Sequence, residues 1–391
     1  MTGFVAVADA RAAARRRLPR AIFDFVDGGA DGEVSLRRNR DQFDDIAFHP
    51  RVGVDVAERD QSVVLFGRRY AAPFGIAPTG LAGLVRPQAE KLLARAAVAA
   101  GVPMVLSTVA SCSLEDVARA ADSPKWFQLY ILRDRGLTRG LMARAQAAGY
   151  AVLVVTLDCA VGGRRERDPR NDFTLPLRLT ARNAIDVLRR PGWAWNMLRH
   201  GPPRPENMIE GAGGISSAEG LTAFMTSQLD PAVTWADVAA VRRDWPGPMV
   251  VKGIACIEDA RCALDCGADG VILSNHGGRQ LDTVVPPLAV LPGVADALGD
   301  RLTILCDSGF RRGADVVKAL ALGARAVLFG RPTLYGLAAG GEAGAARVLA
   351  LFRDDVDRTL ALLGCRSVAE LGHRHVGRTV RSPEWRSTGS T

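Results

Sequence analysis

The chain has 391 residues, of which 48% are hydrophobic and 24% charged, with a formal net charge of +8. That length fits one large α/β domain with insertions or two ordinary domains, and the composition excludes a mainly disordered chain. No uncharged apolar stretch approaches the roughly 18 residues of a membrane span: the longest candidate, Tyr150 to Val161, carries Asp158 and is strand-length, so no transmembrane helix is expected.

Met1 to Arg17 alternates alanines with charges and has no apolar run followed by a cleavage site, so no secretory signal is expected. Asp9, Asp24 and Asp27 argue against a mitochondrial transit peptide. The first 70 residues predict helices and a short hairpin, which close the bottom of a barrel formed by the later strands. Eight short apolar runs then recur at Ala72–Pro78, Val102–Ser107, Lys125–Tyr130, Ala151–Asp158, Pro248–Gly253, Gly270–Asn275, Leu302–Asp307 and Ala326–Gly330. Helical periodicity occupies Ala89–Ala100, Leu114–Ala121, Leu137–Ala148, Ile257–Cys266 and Ala314–Leu322, and several of these segments close on a glycine. Continuous apolar strands alternating with helices imply a parallel sheet covered on both faces, and eight units imply closure into a (β/α)₈ TIM barrel.

The rhythm breaks once, between the fourth and fifth strands, where about 90 residues intervene. The expected organisation is one domain over 1–365. Its barrel halves span 70–158 and 236–345, an insertion after strand 4 occupies 159–235, and 366–391 form a C-terminal tail. Seven cysteines form no C-x-x-C pair, and Cys262 with Cys266 lacks a second pair, so no metal site is expected. Basic residues are almost all arginine, only Lys91, Lys125, Lys252 and Lys318 being lysines. They are spread along the chain without a nucleic-acid module, so no nucleic-acid partner is expected.

In a barrel of this kind the active site lies where strands end and βα loops begin. Those positions carry Pro78-Thr79-Gly80, Ser107-Thr108, Gln128-Leu129-Tyr130, Thr156-Leu157-Asp158, Lys252-Gly253, Ser274 to Arg279, Asp307-Ser308-Gly309 and Gly330-Arg331. Every strand delivers polar groups there while its body stays apolar, which points to an enzyme. Asp307 to Gly313 and Phe329 to Pro332 combine glycines with Arg311 and Arg331 after strands 7 and 8, the usual place for a phosphate. Lys252, inside an apolar strand, must meet an anion or an electron-rich ring. His276, between glycines and three residues before Arg279, reads as functional rather than as a core histidine. Asp158 closes strand 4 just before Arg164-Arg165-Glu166-Arg167, where a surface salt-bridge cluster could account for Arg164 and Arg167.

Trp126 to Tyr130, Ser274 to Asp282 and Arg311-Arg312-Gly313 resemble the FMN-dependent 2-hydroxy acid dehydrogenase/oxidase family, over roughly residues 4 to 365. The resemblance implies FMN as cofactor. Pro78, Thr79, Gly80, Ser107, Gln128, Thr156 and Ser274 would surround the flavin ring, with Lys252 at its N1/C2 carbonyl edge, where a cation favours electron uptake. Asp307, Gly309, Arg311, Gly330 and Arg331 would hold ribityl and phosphate. His276 would take a proton from the 2-hydroxy acid, Asp158 would stabilise the imidazolium, Arg165 and Arg279 would clamp the carboxylate, and Tyr130 would bond the reacting oxygen. Phe25 stands where the family commonly has a tyrosine contacting that carboxylate. This puts more of the binding on the two arginines.

Gly80 and Val109 occupy positions where larger residues are common in the family, which leaves room for an aromatic ring and points to the (S)-mandelate-oxidising branch. The segment 177–204 carries Arg178, Arg182, Arg189, Arg190, Arg199 and Arg204 against Asp186, interleaved with Ile185, Leu188, Trp193, Trp195, Met197 and Leu198. Basic residues beside Trp and Leu suit an anionic membrane interface, although a lid or partner-binding helix has the same composition. The expectation is oxidation of (S)-mandelate to benzoylformate, with electrons passed to a membrane quinone, by a homo-oligomer (a tetramer in the family) on the cytoplasmic membrane face. The rivals are a lactate or glycolate-type oxidase using oxygen, an FMN barrel isomerase or phosphate-ligand lyase, and a non-catalytic membrane adaptor.

Overall fold

The computed structural model describes residues 3–122, 125–174, 180–215 and 217–378. Eight parallel strands follow one another around a sheet: β1 (Phe74–Ile76), β2 (Val105–Ser107), β3 (Trp126–Leu129), β4 (Val152–Thr156), β5 (Met249–Ile254), β6 (Gly270–Leu273), β7 (Thr303–Cys306) and β8 (Ala326–Phe329). Strands β1 and β8 pair, and a parallel bridge between Ile76 and Met104 joins β1 to the start of β2. The ring closes as a (β/α)₈ barrel.

Alternation along each strand builds two cores. Leu153 and Val155 point outward to the helices, whereas Val152 and Val154 point inward with Val105, Trp126, Val250, Ile272, Leu305 and Leu328. The hairpin Val63–Leu65/Arg68–Tyr70 plugs the lower end, as expected: Val63, Leu65 and Tyr70 join the inner core, and Tyr70 Oη accepts from Trp126 Nε1 at 3.2 Å.

The chain ends also pack on the barrel. Helix Arg20–Asp27 is tied to Arg331–Leu363, two helices joined by a kink at Gly340 and Gly341, through Asp27, which takes Arg11 Nε at 2.6 Å and the Tyr335 hydroxyl at 2.7 Å. Residues 366–378, assigned to the tail from sequence, return to the body: Val376–Arg378 pairs antiparallel with Ile46–Phe48. The rest of that tail, 379–391, lies outside the described residues.

The insertion contributes helices Ala181–Leu188, Pro191–His200 and Ala218–Gln228. Leu177, Arg178 and Leu179 of the expected membrane segment lie outside the described residues. Within the remainder, Ile185, Leu188, Trp195 and Leu198 are all more than half exposed, with Arg189 and Arg199 exposed beside them. Trp193 turns the other way, and its Nε1 donates to Leu84 O at 2.8 Å. Among the described residues no helix is long and apolar enough to cross a membrane.

Candidate active site

The two-residue period of the strands decides what reaches the mouth. One inward step beyond Ala77, Val105, Trp126, Val154, Val250, Ile272, Leu305 and Leu328 come Thr79, Ser107, Gln128, Thr156, Lys252, Ser274, Asp307 and Gly330. The apolar interior therefore ends in a polar ring.

Lys252, 3% exposed, donates from Nζ to Ser274 Oγ at 2.8 Å and lies 3.4 Å from Asp307 Oδ2 and 3.8 Å from Asp158 Oδ2. Burial opposes its charge, but the two carboxylates outweigh burial and hold its pKa above the ordinary value. It is a fixed cation under the pocket floor.

His276 has a left-handed backbone, φ +56°, uncommon for any residue but glycine. Its amide donates to Ser274 Oγ at 3.0 Å, which holds that turn. Its Nδ1 lies 2.9 Å from Asp158 Oδ1, leaving Nε2 for the pocket. Burial disfavours the charged ring, yet the Asp158 carboxylate prevails and the pKa is raised to about 9. Asp158 in turn stays ionised well below the usual carboxylate range, burial being outweighed by Lys252 and His276. Burial pushes the Tyr130 phenol far up, so it remains an O–H donor.

Opposite stand the guanidinium groups. Arg165 and Arg279 lie on the Phe25 ring at 5.4 and 5.1 Å from its centroid, in cation–π range. Arg165 Nε is held by Asp168 at 2.8 Å, and Arg279 Nη1 donates to Phe25 O at 2.7 Å and Gly28 O at 3.1 Å. Burial, then Arg165 and Arg331, lower the pKa of Arg279; burial also lowers those of Arg311 and Arg331. Such crowding of buried cations calls for anions.

A cavity of about 270 Å³ is lined by Phe25, Pro78, Thr79, Gly80, Tyr130, Arg165, Lys252, His276, Arg279, Asp307, Gly309, Arg311, Gly330 and Arg331. These are most of the residues singled out from sequence. Ser107, Gln128, Thr156, Asp158 and Ser274 are not on its wall, and Asp158 and Thr156 border a neighbouring cavity of about 390 Å³. Ser107 Oγ donates to Gln128 Oε1 at 3.2 Å, while Gln128 Nε2 and Thr156 Oγ1 are buried with no partner within the protein. Buried polar groups left open in this way suit the heteroatoms of a bound ring.

Gly309, φ +96°, has no room for a side chain, since a Cβ would fall 1.9 Å from Asn39 O. Several donors in the loops after β7 and β8 are already engaged within the protein. The amides of Gly313 and Ala314 donate to Asp355, those of Arg311 and Arg312 donate to Asp315, and all three Arg331 nitrogens donate to carbonyls of Val26, Gly277 and Gly28. Arg331 thus fastens the N-terminal segment to the His276 loop. Arg167 meets Asp24, Asp27 and Glu33, which bears out its reading as part of a salt-bridge cluster.

Three residues of the site had no signal in isolation. Asp168 orients Arg165. Cys159 places Sγ 3.5 Å from His276 Nδ1 and 3.5 Å from Asp158 Oδ1, which brings N, S and O ligand atoms within 4.8 Å of one another, although the Lys252 ammonium already faces that carboxylate. Met225 enters the cavity from the insertion. Only adjacency to Asp158 and Arg165 could have marked the first two.

Residues 14–378 match the FMN-dependent dehydrogenase family. The chain is 47% identical over 364 residues to an L-lactate dehydrogenase of Caulobacter vibrioides, covering 93% of this chain and 95% of that protein. It is 45% identical over 365 residues to an (S)-mandelate dehydrogenase of Pseudomonas putida, covering 93% and 92%. A solved structure described as a monotopic membrane protein, (S)-mandelate dehydrogenase, superposes with a TM-score of 0.93 at 44% identity, covering 96% of this chain and all of that one.

Proposed function

The chain belongs to the FMN-dependent dehydrogenase family, whose members here act as 2-hydroxy acid dehydrogenases, and from that premise we propose that it oxidises (S)-mandelate to benzoylformate and passes the electrons to a membrane quinone. The observation that carries the reading is the His276–Asp158 pair, 2.9 Å apart, facing Arg165 and Arg279 above a buried lysine. Arg165 and Arg279 bind the substrate carboxylate, and the Tyr130 O–H donates to the 2-oxygen. His276 accepts a proton at Nε2 while Asp158, bonded at Nδ1, stabilises the imidazolium. Phe25 packs beneath both guanidiniums and orients them without contributing a hydroxyl.

Bound FMN supplies the two-electron acceptor for this oxidation. Lys252 would offer it a cation, Gln128 and Thr156 would offer their open polar atoms, and Asp307, Gly309, Arg311 and Gly330 would hold ribityl and phosphate, with Arg331 behind them. The exposed Ile185, Leu188, Trp195 and Leu198 beside Arg189 and Arg199 support peripheral docking on an anionic bilayer, the source of the acceptor.

A second reading, L-lactate as substrate, is favoured by the space around Gly80. A Cβ there would meet Val109 Cγ2 at 2.5 Å, so Val109 already occupies part of the room expected for a ring. A panel of (S)-2-hydroxy acids scored by anaerobic flavin reduction decides between them. Fastest reduction by mandelate supports the proposal, and fastest reduction by lactate supports the second reading. No reduction by any 2-hydroxy acid overturns both.

A further inference from the structure

The return limb of the insertion supplies part of the pocket wall. Helix Ala218–Gln228 begins on a Ser217 cap, whose Oγ accepts from Gly220 N at 3.1 Å. It ends against the loop after β3: Gln228 O accepts from Arg133 N at 2.9 Å, Gln228 Oε1 accepts from Asp134 N at 3.1 Å, and Leu229 bridges to Leu132. These ties lie just past Tyr130 and fix the rotation of the helix. Positions 221, 224, 225 and 228 then share a face at helical spacing. Leu221 is fully buried, Phe224 packs on the main core, and Met225 reaches the cavity that holds Tyr130, Gly80 and Val109.

We propose that Met225 is a specificity-determining residue: it forms the wall met by the substituent on C2 of the 2-hydroxy acid. The proposal rests on the functional reading above and names what sets its substrate range. The polar groups of the pocket are engaged by the carboxylate and the 2-oxygen, so selection among side chains falls to apolar contacts. Val109 is β-branched and pressed against the space at Gly80, which makes it a rigid contact. Met225 is unbranched, with three rotatable bonds, and carried on an inserted helix rather than on a barrel strand, which makes it the adaptable one. A wall of that kind admits both a methyl and a phenyl substituent and sets the preference between them.

The test compares kcat/KM for (S)-mandelate and (S)-lactate in the holoenzyme, with a soluble dye as acceptor. Met225→Ala is expected to raise the mandelate-to-lactate ratio about tenfold and Met225→Trp to lower it about tenfold, the scale on which an apolar pocket discriminates. Met225→Leu, close in volume, is expected to stay within about threefold of the wild-type ratio. The spectrum of bound flavin reports folding; if the Trp variant loses flavin, the Ala variant alone decides. An unchanged or reversed ratio in a flavin-loaded Ala variant overturns the role of Met225. A wild-type flavin that neither acid reduces contradicts the functional reading itself, a different failure.

Discussion

His276 illustrates how much a single contact sets. With its pKa raised to about 9 by Asp158, the ring is protonated in the resting enzyme at neutral pH, and only the neutral ring can accept a proton. The rate constant kcat/KM should therefore climb with pH and level off above about 9. Asp158→Asn removes the group that holds the charge on, while burial and Lys252 continue to oppose it, so the rising limb should move to lower pH and the plateau should drop. A profile unaltered in position by Asp158→Asn would show that another group governs the limb. Lys252→Met removes the cation beneath the floor and leaves the buried Asp307 carboxylate without its ammonium partner, while Asp158 keeps only His276. Flavin affinity, followed by equilibrium dialysis, should fall by tenfold or more.

The elements differ in how plainly their sequence declares them. Strand bodies and ends were legible because alternation and burial act locally: the residue two places beyond each inward apolar side chain is the one at the mouth, which is why Lys252 and Asp307 could be picked out. The insertion is less legible. Its composition predicts an amphipathic surface, and helices Ala181–Leu188 and Pro191–His200 present one, but nothing local says that Trp193 turns inward to Leu84 or that helix Ala218–Gln228 brings Met225 to the cavity. Those placements depend on loops far away in the chain. If the exposed face docks on lipid, Trp195→Glu combined with Leu198→Glu should abolish cosedimentation with anionic vesicles while dye-linked turnover persists. Undiminished sedimentation would assign the face to another partner.

At the scale of the whole molecule, the extension before the barrel closes one side of the site. Asp27 binds Arg11 and the Tyr335 hydroxyl, and Arg331 reaches Val26 and Gly28, so the segment carrying Phe25 is clamped to the last barrel helix. Burial would raise the Asp27 pKa, but the bonds from Arg11 and Tyr335 lower it from 3.8 to about 2. The folded value lies below the unfolded one, so this stabilisation is present above about pH 4 and is lost as pH falls towards 2. Asp27→Asn should cost on the order of 3 kcal/mol at neutral pH, measured by urea unfolding, with the difference from wild type shrinking in acid. Sequence alone marked Asp27 only as a charge near the N-terminus, because its partners lie far along the chain. The central claim, that His276 is the base acting on a 2-hydroxy acid bound over FMN, is tested most directly by anaerobic single-turnover reduction of His276→Ala. The variant should retain its flavin and lose roughly 10²–10⁴-fold in the rate of reduction; reduction at the wild-type rate would contradict it.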